Sequence, residues 1–329
     1  MKRLIIIVLS VLMLLSCSSG DSKSREEIPC DNYRAAMREF VQKISTIGRS
    51  TNPKFIVIPQ NGQNVAWDDD ENPVPDSDFF AAIDGTGRED VFYGMNASYD
   101  IADGFATPQN ISEEIQEMCD VYTENGKTVL ATDYTTSDSA KISASFTKNS
   151  QKNYVSFAAT QRALNEIPTY AVHNENSSNI QKLSDAKNFL YLINPPENQS
   201  KSEFINSLCN TNYDAFIIDL YFADKELEPA DLAKLKVKKN GGKRIVICYM
   251  SIGEAEDYRW YWKNWNKYKP DFLEELNVEW EGNYKVRYWY PQWQEIICGT
   301  DGYLSKILNA GFDGVYLDII DAFEYFENQ

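Results

Sequence analysis

Acidic side chains follow two apolar segments in the C-terminal half of the chain, in each case where the segment ends. Residues 244–250 have the composition of a fully buried strand, and Glu254 and Glu256 come shortly after them. The second apolar segment ends at Asp318, and Asp321 follows three residues later. In an α/β barrel the catalytic residues lie where the parallel strands end. We therefore expect these four carboxyl groups to lie at one edge of a parallel sheet.

The residue types near these acids favour carbohydrate chemistry. Two carboxyl groups supply the acid, base or nucleophile that most glycoside hydrolysis needs. The chain has a single histidine, His173, which excludes sites with several histidine ligands and argues against a Ser-His-Asp triad. Five of the tryptophans between the two acidic segments could stack on sugars, but we expect at least half of these five to pack inside the protein. They are Trp260, Trp262, Trp265, Trp289 and Trp293.

Composition narrows the possible partners and cofactors. The net charge of −17 argues against a nucleic-acid partner, because the phosphate backbone requires a basic surface. Five cysteines follow Cys17, and neither their odd number nor their spacing indicates a disulfide framework or a zinc site. The acidic run 68–71 lacks the glycine and final glutamate of a calcium-binding EF-hand loop. We expect no metal and no cofactor.

The N-terminus has the pattern of a targeting segment. Lys2 and Arg3 precede an apolar run that ends at Ser16-Cys17, and about twelve apolar residues are too few for a membrane span of about 20. The pattern resembles a bacterial lipoprotein signal, which implies cleavage before Cys17 and acylation of that residue. An ordinary secretory signal is the alternative. The expected organisation is a signal peptide over 1–17, a flexible tether over 18–30 and one domain over 31–329, held in the cell envelope facing the periplasm or the cell surface.

Strand and helix signals alternate along the rest of the chain. A helix over 32–49 comes first, and eight apolar segments then predict strands that are mostly separated by helices. This alternation predicts an α/β fold of the (β/α)8 barrel type. A doubly wound sheet also alternates, but no GxGxxG loop follows any strand. The predicted strands are 55–58, 79–83, 128–132, 154–158, 189–193, 215–218, 245–250 and 314–317.

The C-terminal half also resembles a known family. The elements IGEAEDYRWYW, GNYKVRYW and GFDGVYLDIIDAFEYFE, within residues 187–327, closely resemble glycoside hydrolases related to endo-α-1,4-polygalactosaminidases, namely family 114 and its bacterial and archaeal relatives. The resemblance implies a TIM barrel. In the family's usual order, segments like FIVIPQNG, AIDGTGREDVFYG, GKTVLATDY and YVSFAA follow this half, whereas here they precede it.

The unusual order implies that the barrel is circularly permuted. The polar segment near 165–187 would then join the family's original termini. Barrels tolerate such rearrangement, because neighbouring chain ends let the same contacts form in another order. An error in the gene model would produce the same order, but a signal segment directly ahead of the permuted half argues against it.

The resemblance also implies roles for particular residues. Asp318, in the DGV-x-x-D element, corresponds to the nucleophile, and Glu89 corresponds to the general acid/base. The structural alternatives are that Asp318 caps the following turn and that Glu89 pairs with Arg88. Further strand-end residues are expected to bind substrate, although any one of the acids could instead pair with Arg259 or Arg287. They are Asp219, Tyr249, Glu254, Glu256, Asp321, Asn61, Tyr134 and Trp289.

Two functions stay open at this point. The first is a glycoside hydrolase that acts on an amino-sugar-containing or related polysaccharide by a two-carboxylate mechanism, either retaining, which is favoured, or inverting. The second is a catalytically silent lipoprotein that binds polysaccharide. The full set of Asp318, Glu89, Asp219 and Glu254 favours the enzyme. In either case we expect a monomer whose partners are a polysaccharide and, through the lipid on Cys17, a membrane.

Overall fold

Eight parallel strands form the core of the protein. The structure is a computed structural model that describes residues 27–196 and 198–329, so the signal segment, Cys17 and the tether up to residue 26 lie outside the described residues. We number the eight core strands in chain order. They are β1 (Ile56–Pro59), β2 (Gly85–Glu89), β3 (Thr128–Tyr134), β4 (Val155–Ala159), β5 (Phe189–Leu192), β6 (Ala215–Ile218), β7 (Ile245–Ser251) and β8 (Gly314–Asp318).

The strands form two parallel sheets, in the orders β1-β8-β7-β6-β5 and β2-β3-β4. A parallel bridge between Gln60 and Gly87 links β1 to β2. β1 and β8 pair in register although they come from opposite ends of the chain, as the resemblance predicts. Phe157 of β4 and Phe189 of β5 bring their ring centroids within 5.7 Å, but no strand ladder joins β4 to β5 in the described part of the chain. The parallel α/β fold is therefore confirmed, while barrel closure and permutation stay predictions.

Nine helices occur among the described residues, and most of them connect the strands. The predicted helix over 32–49 is present, and the Asn32 side chain caps it by accepting a hydrogen bond of 2.8 Å from the Ala35 amide. The helices are α1 (Tyr33–Thr51), α2 (Ser77–Ala82), α3 (Gln109–Glu124), α4 (Ser139–Gln151), α5 (Lys201–Cys209), α6 (Pro229–Leu235), α7 (Pro291–Cys298), α8 (Tyr303–Ala310) and α9 (Ala322–Glu327). Two 3₁₀ turns, Gln63–Ala66 and Leu183–Asp185, complete the helical segments.

The strand predicted over 79–83 is wrong, because this segment is part of α2. The Asp76 side chain caps the helix by accepting from the Phe79 amide at 2.7 Å, and the two phenylalanines, Phe79 and Phe80, are buried. The strand itself is β2, which gave no apolar signal because glycines occupy two of its five positions. A Cβ on Gly87 would lie 1.9 Å from the Tyr316 hydroxyl, so only glycine fits there.

Three antiparallel additions extend the edge of the core at which the strands end. A hairpin of Tyr93–Met95 and Ile101–Ala106 follows β2, and a shorter one of Tyr221–Phe222 and Lys225–Glu226 follows β6. A three-stranded sheet of Glu254–Glu256, Leu273–Leu276 and Asn283–Val286 follows β7. In the described ranges, no helix has the length and apolar character required to span a bilayer.

A buried ion pair lies at the end of the core where the parallel strands begin, opposite the antiparallel additions. Lys238 Nζ lies 2.6 Å from Asp214 Oδ1, and both side chains are fully buried. The other carboxyl oxygen of Asp214 accepts hydrogen bonds from the Asn176 amide at 2.9 Å and from the Lys187 backbone at 2.8 Å. This one carboxylate therefore holds the polar connection near 165–187 against the core.

We expect Lys238→Met to lower the free energy of unfolding by about 3–5 kcal/mol, because it leaves the Asp214 charge buried without its cation. Urea denaturation measures the change. Lys239→Met is the matched control, since Lys239 is exposed and its loss should change stability by no more than about 0.5 kcal/mol. Equal stabilities of the two variants would show that the ion pair does not hold the connection.

Candidate functional site

A cleft of about 1310 Å³ opens where the parallel strands end. It brings together all but one of the ten residues that the sequence analysis selected for catalysis or substrate binding. Those lining it are Asn61, Glu89, Tyr134, Asp219, Tyr249, Glu254, Glu256, Asp318 and Asp321, and Trp289 is the exception. The structure therefore brings nine of the selected residues together in one cleft.

Asp318 is the last residue of β8 and is largely buried. Its carboxyl group accepts hydrogen bonds from the Tyr249 hydroxyl at 2.5 Å and from the Ile319 amide at 2.9 Å. Burial raises the pKa of Asp318 to about 8; the two hydrogen bonds oppose this shift, and the charges of Glu89 and Asp321 add to it. Ile319 has φ 59°, a strained conformation for a β-branched residue, and this turn directs its amide to the carboxyl group.

Glu89 is the last residue of β2, and two neutral donors hold its carboxyl group. The Asn61 amide donates to Oε2 at 3.1 Å, and the Tyr134 hydroxyl donates to Oε1. The Glu89 amide in turn donates to Asn61 Oδ1 at 3.1 Å. Asn61 and Tyr134 thus position Glu89, as Tyr249 positions Asp318. The charge of Glu89 also contributes to the raised pKa of Asp318.

An arginine that sequence reasoning missed supports Tyr134. The Arg162 guanidinium lies 3.7 Å from the centroid of the Tyr134 ring and is fixed by Asp90 at 2.7 Å and Asp103 at 2.8 Å. Burial raises the pKa of Asp90 to about 6, although its bonds to Arg162 oppose the shift. Arg162 follows β4 in a polar stretch, and only its place after a strand end could have identified it.

Asp219 and Glu256 share one arginine. Arg259 makes a two-pronged contact with the Asp219 oxygens at 2.9 and 2.6 Å, and its Nε lies 2.6 Å from Glu256. All three side chains are less than one tenth exposed. This arrangement agrees with the structural alternative that the sequence left open, since both carboxylates already pair with a cation of the protein.

Glu254 and Asp321 have no such cation. Glu254 accepts hydrogen bonds from Asn277 at 2.9 Å and Asn283 at 3.3 Å, and its burial raises its pKa. Burial raises the pKa of Asp321 to about 7, with a smaller contribution from Glu324. Among the residues that the structure describes, none of the four carboxyl groups of Glu89, Glu254, Asp318 and Asp321 forms an ion pair. These four carboxyl groups therefore depend on uncharged donors, or on protonation, for their stabilisation.

Most of the tryptophans pack inside the protein, as expected. Trp293 is fully buried, while Trp262, Trp265 and Trp289 are partly buried against the core. Trp289, expected to bind substrate, instead donates its indole N–H to the Ile28 carbonyl at 2.9 Å and packs on Phe326. One tryptophan that the sequence analysis did not select, Trp280, lines the cleft.

The site offers no cage for a metal ion. Over residues 27–196 and 198–329, no three or more His, Cys, Asp or Glu side chains are grouped closely enough to hold one. In the acidic run 68–71, Asp70 pairs with Arg34 at 2.8 Å and Asp68 with Arg38 at 2.7 Å. These acids therefore fasten α1 to the loop that follows β1.

Comparison with known proteins agrees with this geometry. Residues 175–329 match the model of Glycoside-hydrolase family GH114, which supports a glycoside hydrolase domain in this part of the chain. An uncharacterized protein of Methanocaldococcus jannaschii is 42% identical over 160 residues, which is 46% of this chain and 41% of that protein. Uncharacterized proteins of Thermotoga maritima (36% identical; 37% of each chain) and Deinococcus radiodurans (34% identical; 38% of this chain and 39% of the relative) also match. The chain spans about two fifths of each relative's length.

The raised pKa values make stability depend on pH. An unfolded aspartate has a pKa of about 3.9, so the folded protein holds protons on Asp318 and Asp321 that the unfolded chain has released. The stability that this protonation contributes is fully present below about pH 4 and is lost as pH rises through the folded values of about 7 and about 8.

We therefore expect the melting temperature to fall between pH 5 and pH 8, and Asp318→Asn to flatten this dependence because an amide does not titrate. Each group contributes at most about 1.4 kcal/mol per pH unit. Thermal melts of the wild type, Asp318→Asn and the exposed control Asp301→Asn measure the slopes. The same slope in all three proteins would contradict the burial of a protonated Asp318.

Proposed function

We propose that this protein is a glycoside hydrolase that cleaves an amino-sugar-containing or related polysaccharide by a retaining mechanism. Asp318 serves as the nucleophile and Glu89 as the general acid/base. One observation carries the proposal: strands from the two halves of the chain deliver these two carboxyl groups to one cleft, where each is held by neutral donors and the charge of one raises the pKa of the other.

The two groups take different roles in this mechanism, with the transferable proton on Glu89 and the negative charge on Asp318. The Tyr249 hydroxyl and the Ile319 amide then stabilise its carboxylate. Asp318 attacks the anomeric carbon while the glycosidic C–O bond breaks and the leaving oxygen takes the proton from Glu89. Glu89 next removes a proton from water, whose oxygen attacks the same carbon and releases Asp318.

The carboxyl groups of the cleft support an amino sugar as substrate. Glu89, Glu254, Asp318 and Asp321 carry no protein cation, and a protonated amine on the sugar would supply one and favour their ionised forms. Asp219 and Glu256 contribute less, because they already share Arg259.

Asp318→Asn and Glu89→Gln should each lower kcat by at least about 10²–10⁴-fold and leave the melting temperature within a few degrees. The substrates are partly deacetylated galactosaminoglycan and other bacterial exopolysaccharides. An aryl glycoside with an activated leaving group separates the roles, since its departure needs no proton and Glu89→Gln should still release it, whereas Asp318→Asn should not.

Glu113→Gln and Asp301→Asn, at exposed positions outside the cleft, are the controls and should keep full activity. A double variant of Asp318 and Glu89 that still hydrolyses the polymer would place catalysis elsewhere. Binding of the polymer by the wild type without any turnover would identify the silent binding protein instead.

We also propose that the fold is a closed, circularly permuted TIM barrel. The match to the family model begins at residue 175, inside the polar connection that would join the family's original termini. The matched segment ends beside β1, because its last strand, β8, pairs in parallel with β1. On this proposal β4 and β5 are the family's last and first strands, and the Phe157–Phe189 contact lies between them.

A lipid anchor on Cys17 is the third part of the proposal. The first described residues lie near the cleft, because Ile28 is bound by Trp289 and Tyr290 while α9 provides cleft-lining residues beside them. About 11 residues separate Cys17 from Ile28 and can span roughly 40 Å when extended. The cleft would therefore face glycans at or near the membrane surface.

Cys17→Ala should move the protein from the membrane fraction to the soluble fraction of the producing bacterium, because the acylation site is lost. Immunoblots of the two fractions measure this change, and Cys30→Ala is the control with an intact signal. If Cys17→Ala stays with the membranes, the lipoprotein assignment is wrong, whereas the hydrolase assignment is unaffected.

A further inference from the structure

A short turn at the rim of the cleft has an unusually firm attachment. Residues 277–283 connect the strands Leu273–Leu276 and Asn283–Val286 of the sheet that follows β7. The Asn277 amide donates to the Asn283 carbonyl at 2.7 Å, and the Asn283 amide donates to the Trp280 carbonyl at 3.1 Å. Backbone hydrogen bonds thus close the turn on both sides of Trp280.

One buried carboxyl group holds both ends of this turn. Glu254, 3% exposed, accepts the side-chain amide of Asn277 on one oxygen and that of Asn283 on the other, at 2.9 and 3.3 Å. Satisfied polar groups at low exposure are rigid, because breaking either bond leaves a buried acceptor unpaired. Glu254 therefore fixes the position of the turn relative to the cleft.

The turn presents an exposed indole ring to the cleft. Trp280 is 49% exposed and lines the cleft together with its neighbour Glu281. A large ring that stays in water forgoes the stabilisation that burial gives, of about 25 cal/mol per Å². Among the tryptophans between β7 and β8, only Trp260 and Trp280 are exposed, and of these two only Trp280 lines the cleft. An indole offers an apolar face, and a pyranose ring has an apolar face of C–H groups that fits it.

We propose that the turn 277–283 is a sugar-binding subsite in which Trp280 stacks on a pyranose unit that lies further along the glycan than the units at the catalytic pair. The inference rests on the proposed hydrolase function and identifies one more contact of the same substrate. Glu281 lies beside Trp280, where it can accept hydrogen bonds from the hydroxyl or amino groups at the edge of the stacked sugar. Glu254 acts through the turn as a positioning residue.

The strand order places this subsite on one side of the catalytic pair. The three-stranded sheet that carries the turn follows β7. The strands lie in the order β7-β8-β1, and a bridge joins β1 to β2. Asp318, at the end of β8, therefore lies between this sheet and Glu89, at the end of β2. A bound glycan chain therefore extends past Asp318 toward Trp280. Long oligosaccharides reach Trp280, and short ones that occupy only the catalytic pair do not.

Calorimetric titration of an inactive Asp318→Asn parent tests the subsite. The probes are a trisaccharide and a heptasaccharide of α-1,4-linked galactosamine. Adding Trp280→Ala to the parent should raise Kd for the heptasaccharide about tenfold, within the range of buried tryptophan contacts, and leave the trisaccharide unchanged. Trp280→Phe should restore part of the lost affinity, because it keeps an aromatic face.

Trp260→Ala is the matched control. Trp260 lies in the same connection between β7 and β8 and is 38% exposed. Unlike Trp280, it does not line the cleft. Its loss should leave both affinities unchanged. Thermal melts confirm that Trp280→Ala keeps its fold, as expected for a residue exposed to solvent.

The possible results separate the inference from the function on which it rests. If the wild type cleaves the polymer but Trp280→Ala binds both oligosaccharides like the parent, the subsite is refuted and the hydrolase assignment stands. If Trp280→Ala weakens both probes equally, Trp280 contacts the cleaved unit and the separate subsite is refuted. If the parent binds neither probe and the wild type cleaves no polymer, the proposed function fails and the subsite with it.

Discussion

The need to stabilise buried carboxyl groups at the strand ends organises the cleft. A carboxylate removed from water costs several kcal/mol unless ions or hydrogen-bond donors compensate it. The protein uses two kinds of compensation. Arg259 pairs with Asp219 and Glu256, and Arg162 pairs with Asp90. Other carboxyl groups at the same edge receive only uncharged donors.

Compensation by neutral donors leaves a carboxyl group able to change its protonation state. An arginine at hydrogen-bond distance would favour the carboxylate over the neutral form and hold it ionised over the working pH range. Tyr249 stabilises the ionised form of Asp318 less than a full charge would, so burial still raises the pKa of that group. General acid/base catalysis requires a group that can take up and release a proton near the working pH. The tyrosine and asparagine partners therefore suit a catalytic role for the residues that they hold.

Sequence reasoning located the site because its signals are local. An apolar strand that ends abruptly in an acid, as at Asp318, places that acid at the carboxyl edge whatever the rest of the chain does. Glu89 was identified from the family resemblance, although the strand was assigned a few residues too early. The two glycines in β2 leave this strand without an apolar pattern. The adjacent phenylalanines of α2 instead have the apolar pattern of a strand, although they lie in a helix.

The partners of the acids could not be predicted in the same way. Asn61, Tyr134 and Tyr249 were expected to contact substrate, and the structure shows that they hold the two carboxyl groups. Arg162 and Trp280 lie in segments without a strand or helix pattern. Their roles depend on which loops become neighbours in three dimensions, and no spacing within one segment encodes that relation.

The order of the strands in space does not depend on their order along the chain. The pairing of β1 with β8 depends on facing backbone groups and buried side chains, and neither depends on which strand is made first. The start of α1 pairs with α9 through Arg34 and Glu327 at 3.1 Å, so the two ends of the described chain meet beside the cleft. Chain ends placed there interrupt no strand of the core, and the first described residues lie on the face that carries the cleft.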